Sequence, residues 1–270
     1  MPLIRFPTVK GLVYTIDLSK IADRANPLVV EAPIRGEIQE PTIIEWGDGT
    51  SSTIQTTDSA YPAHTYAAAG IYTVVIRSAT GHIPFCAFNN TYDSASEPTY
   101  NITYAVISID HVAGWLGADG FSSLPPYCTR CLNLTYVDTR WAGQSRLDHM
   151  FNMFQQCINL EQDIQSFCFD FCAARSASGF NAIFFNCVKL YGSPEGLLDK
   201  STEARSFANM FRYDTKLTPP PFSFWKADGS LNTDKYPYLT ANSGQNCYAN
   251  TSAAMKAQVP TAYGGTMTVS

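Results

Sequence analysis

Four octets in the second half of the chain align without gaps: YCTRCLNL at 127–134, MFQQCINL at 153–160, IFFNCVKL at 183–190 and MFRYDTKL at 210–217. They start 26, 30 and 27 residues apart. A unit of that length cannot bury its own apolar faces, so neighbours stack and bury a continuous core between them. Residues 110–250 are therefore expected to form a short solenoid, with Leu134, Leu160, Leu190 and Leu217 each beginning the path to the next strand or turn. The fifth position is Cys131, Cys157, Cys187 and then Asp214. A small residue suits a crowded column between coils, and cysteine there acts as a small hydrophobe with a weak hydrogen-bonding group. Upstream aromatics, Phe151, Phe180 and Phe207, lie at a spacing that suits one face of a short helix. Gln245, Asn246, Cys247 and Tyr248 read as a degenerate fifth unit suited to a terminal cap, and residues 251–270 as a C-terminal tail.

The unit M-F-x-x-C-x-x-L resembles the BspA-like leucine-rich repeats, over about residues 124–217. The aspartate-rich phrase that usually follows the octet in that family is absent here. The resemblance implies a binding solenoid of the kind found in bacterial surface adhesins and in proteins of tailed phages.

Residues 1–109 read differently. Short β-branched and apolar runs at 12–18, 28–34, 42–46, 71–76 and 103–109 are separated by Gly, Pro, Asn and Asp clusters, which predicts the strands of a sandwich. Trp46, Gly47, Asp48, Gly49 and Thr50 predict a tight hairpin, because glycine accepts positive φ and aspartate bonds its own backbone. His64 and Tyr66, then Gly70 and Tyr72, predict a second turn feeding a strand, with Tyr72, Val74 and Ile76 on one face and a tyrosine able to anchor the corner. These three motifs, in order, resemble the PKD family, although the Phe before the first Gly is missing and Ala69 stands where Pro is frequent. The resemblance implies an Ig-like sandwich used as a spacer or adhesion module, without catalysis of its own. Asp48 and His64 are accordingly expected to be structural. The long segment 81–101 is a candidate interaction loop, with His82, Phe85, Phe88 and Tyr92 as contact residues.

Composition narrows the function classes. Charged residues make up only 15% of the chain, the net charge is −5 and no Lys/Arg run occurs, which disfavours nucleic acid as a partner. No stretch reaches the ~18 apolar residues of a membrane span. The N-terminal segment lacks an apolar core with a small-residue cleavage site, so an ordinary export leader is not expected. The cysteines of a chain of this kind are expected to be mostly reduced. Cys128 and Cys131 form a CxxC and Cys168 and Cys172 a CxxxC; zinc or a disulfide at Cys128, Cys168 and Cys172 is a weaker reading than burial. His64, His82, His111 and His149 form no metalloprotease pattern, and no P-loop, GxSxG or GxGxxG occurs. The sequons at Asn89, Asn101, Asn133 and Asn250 read as chance occurrences in an Asn/Thr-rich chain.

The expectation is thus a mainly β chain: an Ig-like β-sandwich followed by a short leucine-rich-type solenoid with short helices. It is expected to be non-enzymatic and to need no cofactor. Its expected role is a tailed-phage virion component, a head decoration, head fibre or tail-associated protein. Its partners would be capsid or tail subunits or a host surface, within an oligomer or larger assembly. A bacterial cell-surface adhesin or carbohydrate-associated module is the alternative.

Overall fold

The computed structural model of this chain describes residues 11–35, 38, 40–55, 62–79, 85–88, 100–113, 128–138, 150–167, 169 and 179–268, and the chain is mainly β. The strands of the first half are β1 (Gly11–Asp17), β2 (Val29–Glu31), β3 (Ile34–Arg35), β4 (Thr42–Glu45), β5 (Ser51–Ile54), β6 (Ala63–Thr65), β7 (Ile71–Ser78) and β8 (Phe85–Cys86). A helical turn, α1 (Ile102–Ala105), leads into β9 (Val106–Ala113), and β10 (Tyr136–Val137) follows. The main sheet has the order β10-β9-β1-β7-β4-β5. Two antiparallel ribbons, β2–β6 and β3–β8, lie against it, and their Val30, Ile34 and Tyr66 share one buried core with Leu12, Tyr14, Ile16, Trp46, Val74 and Ile76. The alternation of buried Val74 and Ile76 with more exposed neighbours in β7 is the period-two pattern of a strand covered on one face.

Two expected strands are interrupted. The run 28–34 breaks at Ala32–Pro33 into β2 and β3, because proline offers no N–H to a ladder. Residues 103–105, expected as strand, are helical. The Glu31 carboxylate accepts from the Asn101 N–H at 2.9 Å and faces that of Ile102 at 3.4 Å, which caps orphan donors at the start of the turn.

The second half is a stack of coils built on β9. β10 pairs with β9 in parallel, Tyr136 opposite Ser108 and Val137 opposite Ile109, so the first coil continues the main sheet. The buried Gln162 extends that row: its Nε2 donates to the Val137 carbonyl at 2.9 Å and its Oε1 accepts from the Val137 N–H at 3.0 Å. Parallel bridges at Asp163–Tyr191 and Gly192–Leu217 carry the row through the later coils. A domain boundary between residues 109 and 110 therefore falls inside a strand, and one hydrophobic core runs through both halves.

The octets are not helices. They are runs of consecutive turns in which alternate residues do different work. Met150, Asn152, Phe154 and Gln156 donate their N–H groups to Gly179, Asn181, Ile183 and Phe185 of the next coil, while Met153, Gln155 and Cys157 donate three residues back, to Met150, Asn152 and Phe154. The same alternation recurs from Phe180 to Cys187 and from Phe207 to Asp214. Because every second N–H leaves the coil, the i to i−4 bonds of a helix cannot form, yet the backbone groups are paired. The path requires left-handed residues at two fixed places per coil: Asn152, Ala182, Asn209 and Asn246 just before the octet, and Arg130, Gln156, Asn186, Tyr213 and Asn250 at its fourth position. Asparagine is the non-glycine residue that tolerates this conformation best.

Residues 252–268 fold back on the last coil as a cap. Ser252 caps α2 (Ala253–Lys256) by accepting from the Met255 N–H, and the Tyr263 carbonyl accepts from the Tyr248 N–H of the last coil. Met255, Val259 and Tyr263 are buried there. Gly264 sits at φ +92°, and a Cβ on it would lie 2.5 Å from the Ala249 nitrogen.

Candidate functional site

The hairpin motifs converge in space. The Trp46–Thr50 turn joins β4 to β5, and Asp48 Oδ1 accepts from the Thr50 N–H at 2.9 Å and from its hydroxyl at 2.6 Å. Gly47 has φ +84°, and a Cβ would stand 2.5 Å from the Thr73 carbonyl oxygen, so only glycine fits. His64 on β6 meets Asp48 Oδ2 through Nε2 at 2.7 Å and stacks on Trp46 with ring centroids 4.9 Å apart. Tyr66 packs edge-on to His64 and donates its hydroxyl to the Trp46 carbonyl at 2.9 Å. Tyr72 stacks on Tyr66 at 4.2 Å and donates to the Ala68 carbonyl, the expected corner anchor; Gly70 lets the chain pass tightly under its ring.

Asp, His and a hydroxyl in one cluster invite a catalytic reading, but the geometry is wrong for it. A triad needs the carboxylate on one ring nitrogen and the nucleophile on the other. Here His64 Nε2 faces both Asp48 and, at 3.4 Å, Thr50, while the Thr50 hydroxyl is spent on Asp48. The Thr50 hydrogen bond, with those of His64 and the Thr50 backbone, holds the Asp48 carboxyl down at about 2. The cluster ties the turn to β6.

The inward columns of the coils carry no accessible chemistry. Cys131, Cys157 and Cys187 are fully buried, as are Leu134, Leu160, Leu190 and Leu217, and burial pushes all three thiols up, away from the thiolate form. Each of two rungs bonds downward: Cys157 Sγ donates to the Cys128 carbonyl and Cys187 Sγ to the Phe154 carbonyl, both at 3.0 Å. Asp214 ends the ladder as an acid whose burial raises its carboxyl well above the usual range; its Oδ1 accepts from the Cys187 N–H at 2.7 Å. Beside this ladder runs an aromatic column, Phe154, Phe184, Phe211 and Tyr248, with centroids 5.7, 6.0 and 5.2 Å apart.

One register read from sequence shifts by the rule of alternation, and the fifth unit gains one. Met150, not Phe151, is equivalent to Phe180 and Phe207; Phe151 is one residue off and points outward. A fifth coil exists, but Cys247 takes the first octet position and Thr251 the fifth, since the Phe211 N–H donates to the Cys247 carbonyl as the Phe184 N–H does to Met210.

Of the candidate loop, His82 and Tyr92 lie outside the described residues. The backbone of Phe85 pairs with Arg35 in β3–β8. Phe88 is buried edge-on against Tyr14 at 5.1 Å, so it is core rather than contact surface, because its ring fills the space over β1. Cys168 and Cys172 also lie outside the described residues, while Cys128 and Cys131 are buried within the first coil. Among the described residues no group of three or more His, Cys, Asp or Glu is placed to hold a metal ion, and no helix is long and apolar enough to cross a membrane. The Asn101 amide donates to the Asn26 and Val29 carbonyls, and that of Asn133 to the Tyr104 carbonyl.

What sequence reasoning missed is the outward side of the turns. The fourth octet position lines up as a surface column, with Arg130, Gln156, Asn186 and Tyr213 partly exposed; at the third position Thr129 and Gln155 are buried, and only Phe185 and Arg212 reach the surface. The recurrent amide just before and within the octet was the available signal. Comparison with known protein families, with characterised proteins and with solved structures found no match.

Proposed function

We propose that the chain is a non-enzymatic binding and structural protein, in which an Ig-like sandwich of the PKD type carries a short leucine-rich-type solenoid. The observation that carries this reading is the alternation of the stacked turns. Their inward columns are packed shut, whereas their outward columns present a fixed array of amide and aromatic side chains on a scaffold continuous with the main sheet. Regular stacks of this kind offer extended surfaces to macromolecules. Within that class the proposed setting is the virion of a tailed phage, where the protein contacts capsid or tail subunits or a host surface.

Mass spectrometry of gradient-purified particles from a lysate that expresses this chain is the test. Recovery with the particles in fixed proportion to capsid or tail proteins is expected. Recovery only with the bacterial envelope would replace the virion setting with that of a cell-surface adhesin.

A further inference from the structure

On the outward face of the coils, Arg212 stands out by its surroundings. Arg212 is partly exposed, and among the described residues it meets no carboxylate. Its guanidinium contacts are weak: Nη1 reaches Asn209 Oδ1 and Nη2 reaches the Tyr213 hydroxyl, each at 3.4 Å, and its buried Nε has no acceptor. Acidic residues outnumber basic ones in this chain, 23 to 18, so carboxylates were not scarce. A half-buried guanidinium left unpaired is a standing cost, and its planar fork matches a carboxylate. Two rings hold it flat: its carbon lies 5.1 Å from the Tyr213 centroid and 5.7 Å from that of Phe185, and the two rings pack edge-on at 5.5 Å. Amides surround it. The Asn186 N–H donates to the Arg212 carbonyl, which puts Asn186 on the adjoining coil, and Gln156 holds the same octet position one coil further on.

We propose that this patch, Arg212 with Phe185, Tyr213, Asn186 and Asn209, binds a carboxylated sugar of an acidic polysaccharide. The guanidinium takes the carboxylate, the rings offer apolar faces to the sugar, and the amides match hydroxyls that both donate and accept. An acidic peptide supplies the carboxylate but not the hydroxyls the amides are suited to, so the amide array favours the saccharide. The proposal rests on the reading of the repeat half as a binding solenoid and names the ligand of its outer face.

Affinity electrophoresis of the whole chain in gels containing alginate, a polyuronate, is the test, with neutral dextran and poly-glutamate as parallel matrices. The wild type is expected to be retarded by alginate and to pass through dextran and poly-glutamate unretarded. Arg212→Gln is expected to weaken retardation at least tenfold, and Arg212→Lys, which keeps the charge but loses the fork, to weaken it substantially. Arg205→Gln, which removes an exposed cation beside Tyr238, is expected to leave retardation unchanged. Thermal midpoints of the variants establish that each is folded. No retardation of the wild type, equal loss in Arg205→Gln, or equal retention by poly-glutamate overturns the proposal. Loss of alginate binding with particle association intact sinks this inference alone, whereas absence from both particle and envelope sinks the functional reading beneath it.

Discussion

Two single residues show how sharply position decides chemistry. Gly47 is held by the close approach of Thr73 and by its positive φ, so Gly47→Ala is expected to destabilise the chain by roughly 2 kcal/mol or more, read as a lower urea midpoint at unchanged slope. Gly49, two residues further on in the same turn, shares the positive φ but has open space around it, so it lacks the close approach. Asp214 stands where three coils carry cysteine. Its folded carboxyl is raised above its unfolded value of 3.8, so the unfolded chain gives up the proton more readily. The stability tied to this group is therefore complete below about pH 3.8 and declines as pH rises from there towards the folded value. Asp214→Cys, which restores the ladder, is expected to raise the thermal midpoint at pH 7 and to flatten its fall between pH 4 and 7. An unchanged pH profile would show that Asp214 is not the group responsible. The Asp48 contribution runs the other way: its carboxyl is lowered, so stability is lost as pH falls from 3.8 towards 2, with solvent screening keeping the effect small.

At the scale of elements, the coil is defined by which residue of each pair faces in. Phe184 sits mid-column, stacked on Phe154 and Phe211, and Phe184→Ala is expected to cost about 3–5 kcal/mol. Phe151, exposed on the preceding coil, is expected to tolerate Phe151→Ser within about 0.5 kcal/mol, and chemical denaturation of the two variants side by side checks both values. From the bare sequence Phe151 looked equivalent to Phe180 and Phe207, because the octets and their upstream aromatics fit a helical spacing as well as a run of turns. The signal that separates them is the distance to the octet: three residues from Phe180 to Ile183 and from Phe207 to Met210, but two from Phe151 to Met153. The recurring Asn152, Asn209 and Asn246 pointed to left-handed backbone at the same place. That pattern makes sense only once alternate N–H groups are known to leave for the next coil.

For the whole molecule, the junction at β9 matters most. The main sheet does not stop where the composition changes; β10 and the bridged residues of later coils continue it, so the stack of coils has a template at one end and the folded segment 252–268 as a cap at the other. Unfolding is therefore expected to be one cooperative transition. Val137→Asp, which places a charge at the buried junction, is expected to lower the midpoint of both halves together, as followed by calorimetry and by the fluorescence of tryptophans including Trp46 and Trp225. Two separated transitions would mean that the halves fold independently. The sequence by itself determined the local pieces. The octet period and its apolar columns required stacked units, and the Asp-Gly hairpin, His64, Tyr66 and Tyr72 required a braced turn, because each signal depends on residues close in the chain or on a strict repeat. Only the tertiary structure decided the rest. It made the octets turns rather than helices, joined the halves through β9, sent Phe88 inward, and set the Arg212 guanidinium beside the rings of Phe185 and Tyr213. Each of these depends on partners from distant segments, and a single chain does not write such pairings into local spacing.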